Sequence, residues 1–346
     1  MAQYALLILP STNRVYAESS TELTMAELAL FGQTALDQPI GDIARTTIGG
    51  VPYVTFEADD LTESDAAKLA NLSSVYALFR YDGKLLEPVF LQSLDRLDSD
   101  LITIPKYQGK TNELFTKLLL NATLLSSDFA KDLLTRKFSV IDPLCGRGTT
   151  MNQALMYGFD AAGVDVDKKD FEAYGTFIQT WLKRKRYKHD AEVIRVRRDG
   201  RVAAHRLQVS FGLTKEDWKA GDKLNLSYVS ADTTKALDFY KQGSFDLVVT
   251  DAPYGVQHGS RTAESGLHRS PIDLLKAAAP VWAGLLRKGG ALGIAWNTNV
   301  AKREAAAEIL ADAGLEPLNA TPYQDFVHRV DQAIVRDILV ARRPIL

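Results

Sequence analysis

Cysteine occurs once in the 346 residues, at Cys145, so no internal disulfide can form and a reducing, cytoplasmic compartment fits. Five scattered histidines beside that one thiol make no recognisable metal-ligand spacing, and metal chemistry has no support. No apolar run approaches the roughly 18 residues that mark a membrane-span candidate. Met1 to Pro10 is apolar but lacks a basic leading region and a cleavage-like site; it reads as a first strand, not a signal peptide. Internal repeats and low-complexity stretches are missing. So is a strong excess of one charge, the net charge being −2. What remains is an ordinary globular composition, 46% hydrophobic and 24% charged, in a chain long enough for two domains.

The near-zero net charge hides a division. Residues 1–100 hold 6 Lys and Arg against 15 Asp and Glu, a balance of −9. Residues 183–206 hold 10 against 3, a balance of +7. One module is acidic and one patch is basic.

The first hundred residues read as a small α+β domain. Strand-like Tyr4 to Leu9 is followed by a helical run, Thr24 to Phe31, with Thr21 or Thr24 as its cap. Asp42 to Glu57 reads as a hairpin around Gly49-Gly50, and Ser64 to Leu72 as a helix opened by a serine cap. Ser74 to Leu91 reads as a second hairpin around Asp82-Gly83. No motif there carries chemistry. The junction falls in the charged, turn-like stretch Leu94 to Ile104, and residues 101–346 form the second domain.

That second domain is organised around Phe138 to Thr150. An apolar run ends on Asp142. Gly146, Gly148 and two hydroxyls follow, then a helical run from Met151, so the order is strand, glycine turn, helix. In open α/β sheets a ligand sits at that carboxyl edge. Three more apolar runs end on acids: Gly158 to Asp165, Leu226 to Asp232 and Phe245 to Asp251. A dinucleotide would require Gly-x-Gly-x-x-Gly, but the third glycine is replaced by Met151, and acids beside the turn would repel a pyrophosphate. These acids suit a ligand with hydroxyls, an adenine amine and a cationic head, which describes S-adenosylmethionine. Asp142 would lie near its amino-acid end and Asp232 would accept from the adenine amine. Asp165, 23 residues after Asp142, would grip the ribose, with Asp167 as the competing candidate.

The fourth strand runs into Asp251-Ala-Pro-Tyr254. The amine of guanine or adenine is a poor nucleophile because its lone pair is delocalised into the ring. The Asp251 carboxylate and the Ala252 carbonyl can accept its two hydrogens and favour the pyramidal form that attacks. Pro253 sets the bend and Tyr254 can stack on the base. Cys145 has no base beside it and reads as a small residue under the ligand. Between the second and third strands a stretch at about 183–225 is too long for an ordinary connection. It reads as a basic β-hairpin insertion around Asp199-Gly200, with Arg195, Arg197, Arg198, Arg201 and Arg206 interleaved. The basic run at 183–189 alone is more often a solvated helix end. His258 and His268 fall in a Gly/Ser-rich loop that could close over substrate.

Asp142-Pro-Leu-Cys-Gly-Arg-Gly-Thr-Thr150 with Asp251-Ala-Pro-Tyr-Gly255 resembles a class I S-adenosylmethionine-dependent methyltransferase of the amino-methylating kind. It is most similar to the tRNA guanosine N2-methyltransferase (THUMP-associated) family. Gly109-Lys-Thr-Asn112, Gly163-Val-Asp165, Lys288-Gly-Gly290 and the ending Val327-His-Arg329 with Ile338-Leu-Val340 extend the likeness over residues 106–346, apart from the insertion. The resemblance implies an α/β fold with a Rossmann-like seven-stranded sheet. It implies cofactor contacts from Thr111, Asp142, Leu144, Gly146, Gly148, Thr149, Asp165, Val166, Asp232 and Thr233. Asp251, Ala252, Pro253 and Tyr254 would be catalytic, with Arg195, Arg197, Arg198, Arg201 and His258 on the substrate. The expected partner is structured RNA, above all tRNA, held through the basic insertion; some relatives also use a small activator protein.

Two departures stand out. The family's Asp-Pro-Pro-Tyr is Asp-Ala-Pro-Tyr here. The first hundred residues are too few for the ferredoxin-like plus THUMP pair and too acidic to clamp RNA. A DNA adenine N6-methyltransferase, an N-methyltransferase of a small molecule or peptide amide, and a non-enzymatic RNA- or partner-binding module with a relict cofactor site are the alternatives.

Overall fold

The computed structural model describes residues 2–11, 14–107, 109–252 and 270–345. Two sheets carry the fold. The first contains β1 (Ala2–Ile8), β2 (Ile40–Ile48), β3 (Val51–Ala58), β4 (Val75–Tyr81) and β5 (Leu86–Val89), in the order β2-β3-β1-β4-β5, every pair antiparallel. Helices α1 (Arg14–Thr34) and α2 (Glu63–Leu69) connect its strands. Both hairpins expected from Gly49-Gly50 and Asp82-Gly83 form.

Two cap assignments need correction. Helix α1 begins ten residues before the apolar run, so Thr21 and Thr24 are interior and buried. The Thr24 hydroxyl donates back to the Ser20 carbonyl, 2.6 Å away, which is what a mid-helix hydroxyl does. Helix α2 is capped not by a serine but by Thr62, in a reciprocal capping box with Asp65.

The second sheet follows α3 (Asp100–Thr103) and α4 (Glu113–Leu125). Its elements are β6 (Ser139–Asp142), α5 (Thr149–Met156), β7 (Asp160–Asp165), α6 (Lys168–Lys185), β8 (His189–Arg198), β9 (Arg201–Phe211), α7 (Lys215–Ala220) and β10 (Leu224–Ser230). Then come β11 (Phe245–Asp251), α8 (Pro271–Leu285), β12 (Leu286–Asn297), α9 (Arg303–Asp312), β13 (Glu316–Leu318), β14 (His328–Arg329) and β15 (Val335–Arg342). The order is β13-β15-β12-β11-β6-β7-β10-β9-β8, with β14 on β15. The central strands β10, β7, β6, β11 and β12 are parallel, and β15 and β13 complete seven strands antiparallel to their neighbours. This is a Rossmann-like α/β sheet.

The basic hairpin β8–β9 extends that sheet, pairing antiparallel along the outer edge of β10. Lys288-Gly-Gly290 lies within β12, with Gly290 packed on the Asp246 carbonyl.

One apolar core runs through both sheets. It includes Leu28, Leu30 and Phe31 of α1 with Phe115, Leu118 and Leu119 of α4, each worth about 1.5–3 kcal/mol in burial. Within it lies a buried carboxylate, Glu27. It accepts from the Ser73 amide (2.9 Å), the Ser73 hydroxyl (2.6 Å) and the Asn121 amide (2.7 Å), so α1, the turn before β4 and α4 meet on one carboxyl group. Burial still pushes its pKa up. Among the described residues no helix is long and apolar enough to cross a membrane.

Candidate active site

The parallel strands deliver their acids to one edge. Asp142, Asp165 and Asp251 are the last residues of β6, β7 and β11, and Asp232 stands two residues beyond β10. The apolar runs make buried strands, and β6, β7 and β11 each end on a carboxylate.

Asp142 is buried, with one oxygen accepting from the Leu144 amide (3.0 Å) and the Thr250 hydroxyl (2.8 Å). Burial pushes its pKa up to about 7 against hydrogen bonds from Thr150, Thr250 and Leu144, and the nearby Asp165 adds to the rise. Asp165 accepts from the Gly146 amide on one oxygen and the Asp167 amide on the other, both at 2.9 Å. Burial raises its pKa as well. Asp167 is exposed and caps α6 through the Lys169 amide, 2.7 Å away. Of the two rival acids, Asp165 is therefore the one turned into the glycine turn.

Gly146 and Gly148 both have positive φ, 46° and 79°. A Cβ on Gly148 would also run into the Tyr174 ring, so this turn needs glycine for two reasons. The Gly146 carbonyl accepts from the Tyr228 hydroxyl at 2.8 Å. Leu144 and Val166 flank Asp142 and Asp165, both half-buried. The Thr149 hydroxyl lies 2.8 Å from that of Tyr107. Cys145 is buried against Gly163, where a Cβ would come within 2.6 Å of its sulfur. Burial pushes its thiol well above the ordinary value, so it is protonated at neutral pH and no nucleophile.

Asp232 caps a 3-10 turn (Thr233–Asp238) through the Thr234 amide, 2.9 Å away. Thr233 is buried and its hydroxyl accepts from the Trp282 indole at 2.8 Å. Asp251 receives a hydrogen bond from the Thr111 hydroxyl, just ahead of α4, and lies 3.9 Å from an Arg336 guanidinium nitrogen. Ala252 is buried and its amide donates to the Ala295 carbonyl at 3.2 Å. Pro253, Tyr254, His258 and His268 lie outside the described residues.

The structure thus gathers Thr111, Asp142, the glycine turn, Asp165, Asp232 and Asp251 along one edge. The hairpin arginines are not gathered there. Arg195, Arg197, Arg198 and Arg201 are all exposed, and Arg198 also pairs with Asp238 at 2.8 Å.

Sequence reasoning passed over Thr250, Tyr228, Tyr107 and Arg336. Two of them had a visible signal: a hydroxyl inside the apolar run of β11, and a cation inside that of β15. Arg336 is buried with its guanidinium 4.2 Å from the Phe115 ring centre. His328 is buried against the Phe115 and Tyr16 rings. Burial holds its pKa down to about 4, so it is neutral, with Nδ1 2.9 Å from the Phe326 carbonyl.

A groove of about 820 Å³ opens at the opposite edge, floored by Ser139, Asp160, Asn225 and Ser210, and takes no part in this site. Among the described residues no His, Cys, Asp and Glu cluster could hold a metal ion.

Residues 133–290 match the family model described as UPF0020: RMKL-like, methyltransferase domain. These residues form an S-adenosylmethionine-dependent methyltransferase domain. The match contains the glycine turn and all four acids of the edge. No curated protein matches the chain in sequence.

Solved structures overlap with the methyltransferase only loosely. A TehB-like S-adenosylmethionine-dependent methyltransferase from Corynebacterium glutamicum is 16% identical over 60% of this chain and 81% of its own, with a TM-score of 0.34. A T. thermophilus 16S rRNA N2 G1207 methyltransferase, RsmC, is 15% identical over 87% and 57%, at 0.38. The N-methyltransferase NodS from Bradyrhizobium japonicum is 14% identical over 66% and 94%, at 0.37. The fold follows from the strand order.

The chemistry of the edge fits the cofactor. Asp142 and Asp165 are carboxylates whose pKa values rise on burial, so a cationic ligand brings charge that would favour their ionised forms.

Proposed function

We propose that this methyltransferase acts on an exocyclic amine, guanine N2 in tRNA or another structured RNA. The observation that carries the reading is the placement of Asp251. It ends β11 beside Asp142 of β6, anchored by Thr111 and Arg336, and is followed directly by Ala252, tied to β12.

S-adenosylmethionine supplies an electrophilic methyl group, and positioning then does most of the work. In this reading Asp142 faces the amino-acid end, Asp165 takes the ribose hydroxyls and Asp232 takes the adenine amine. Asp251 and the Ala252 carbonyl accept the two hydrogens of the target amine, so its lone pair is released from the ring. Pro253 and Tyr254 shape and stack the base. The exposed Arg195, Arg197 and Arg201 contact phosphate, with His258 a further substrate contact in this reading. Arg198, turned onto Asp238, contributes less than a fully outward arginine. Residues 1–100 form a separate acidic unit, docked through the shared core rather than clamping RNA.

Labelled methyl transfer to total tRNA, genomic DNA and a small-molecule extract in parallel tests this reading. Label confined to RNA supports it. Label confined to DNA moves the substrate to adenine N6, and label only in small molecules removes the RNA assignment.

A further inference from the structure

The connection from β10 to β11, residues 231–244, holds only the 3-10 turn Thr233–Asp238. A short turn with one capping carboxylate cannot hold its own position, yet this one carries Asp232. It is held from two sides. Helix α8 reaches it through Trp282, whose indole donates to Thr233. The hairpin reaches it through two arginines.

Arg206, on β9 opposite Val229 of β10, donates to the Phe239 carbonyl at 2.5 Å and lies 5.4 Å from the Tyr240 ring centre. Arg198, the last residue of β8, pairs with the Asp238 carboxylate at 2.8 Å and donates to the Asp238 carbonyl at 2.9 Å. Two guanidiniums therefore take consecutive carbonyls at the end of the turn that Asp232 begins. Tyr240 completes the seam, its hydroxyl 3.1 Å from the Ser227 carbonyl and 3.2 Å from that of Gly163.

We propose that Arg198 and Arg206 are positioning residues for the adenosine end of S-adenosylmethionine. They hold the 232–240 segment so that Asp232 stands at the cofactor edge, and the hairpin does the bracing that a longer covering helix would otherwise do. The same hairpin leaves Arg195, Arg197 and Arg201 exposed and off that segment, so its cations divide into a pair bonded to the 3-10 segment and a set that is not. The proposal rests on the reading that Asp232 meets the cofactor.

The test is calorimetric binding of S-adenosylhomocysteine to Arg198→Gln, Arg206→Gln, the double variant, Arg206→Lys and Asp232→Ala, with Arg195→Gln/Arg201→Gln as a control on the same hairpin. Hydrogen bonds from charged donors are the stronger kind, so the double variant should bind about tenfold more weakly. Arg206→Lys should recover part of that loss, and the control should stay within about twofold. Amide exchange at Ala236–Tyr240 should quicken in the double variant. The KM for S-adenosylmethionine should rise while kcat at saturation holds. Weakened binding by Asp232→Ala with unchanged binding by the folded single and double arginine variants overturns the proposal. Unchanged binding by Asp232→Ala overturns the reading beneath it. Should Arg206→Gln fail to fold, Arg198→Gln and Arg206→Lys decide between these outcomes by the same affinity measurement.

Discussion

The Asp142 carboxylate and the Thr250 hydroxyl meet at 2.8 Å across the seam between β6 and β11, both buried. This contact ties the cofactor edge to the strand that ends on Asp251. Thr250→Val keeps the side chain's shape and removes the donor. It should destabilise the protein by about 1–2 kcal/mol and weaken cofactor binding several-fold at pH 8. The stability loss should shrink at pH 5, where Asp142 is neutral. Denaturant titration at the two pH values checks this.

Asp142 itself sets a pH dependence. Its pKa rises from the ordinary 3.8 to about 7 on folding, chiefly through burial. The stability tied to its protonated form is complete below the unfolded pKa and is lost as pH rises through about 7. Asp142→Asn should therefore gain stability relative to wild type between pH 5 and pH 8. A cationic cofactor favours the carboxylate, so binding near pH 6 should release up to about one proton, and affinity should fall by no more than about tenfold per pH unit below 7. Calorimetry in buffers of different ionisation enthalpy counts that proton.

Thr111 holds an Asp251 oxygen through its hydroxyl. In the proposed reaction this orients the group that meets the amine. Thr111→Val should lower kcat by about 10-fold, in the range of a lost orienting hydrogen bond. Asp251→Ala should lower kcat by about 100-fold or more. Single-turnover rates beside calorimetric affinities separate these effects.

The outward arginines predict a salt effect. Neutralising Arg195, Arg197 and Arg201 should lower the salt slope of RNA binding by about 2–3, and affinity should fall alike across RNA sequences. A fluorescence titration between about 50 and 200 mM salt measures the slope.

The parallel core was legible because most of its strands are near-continuous apolar runs, a pattern that burial on both faces imposes on sequence, and three of them end on an acid. Both N-terminal hairpins were legible from their glycine turns. The start of α1 was not: Arg14 to Ser20 holds no long apolar run, and Thr24 imitates a cap while donating to the Ser20 carbonyl inside the helix. The acids of the site were legible one by one. Their partners were not, since Thr111 and Asp251 stand 140 residues apart and Thr250 and Asp142 stand 108 apart. Such pairings are set by strand order, not by local pattern. The basic hairpin shows the same limit: alternation revealed a hairpin, but not that Arg206 bonds to the chain after the 3-10 turn while Arg195 and Arg201 are exposed.

Nucleoside analysis of methylated RNA asks whether Asp251 governs methylation of an exocyclic amine. RNA labelled by the wild-type protein and by Asp251→Ala is digested and its modified nucleosides are separated. Label should fall in N2-methylguanosine and be lost in the variant. Label on a ring carbon, a ribose or another base, or equal labelling by the variant, would contradict amine methylation governed by Asp251.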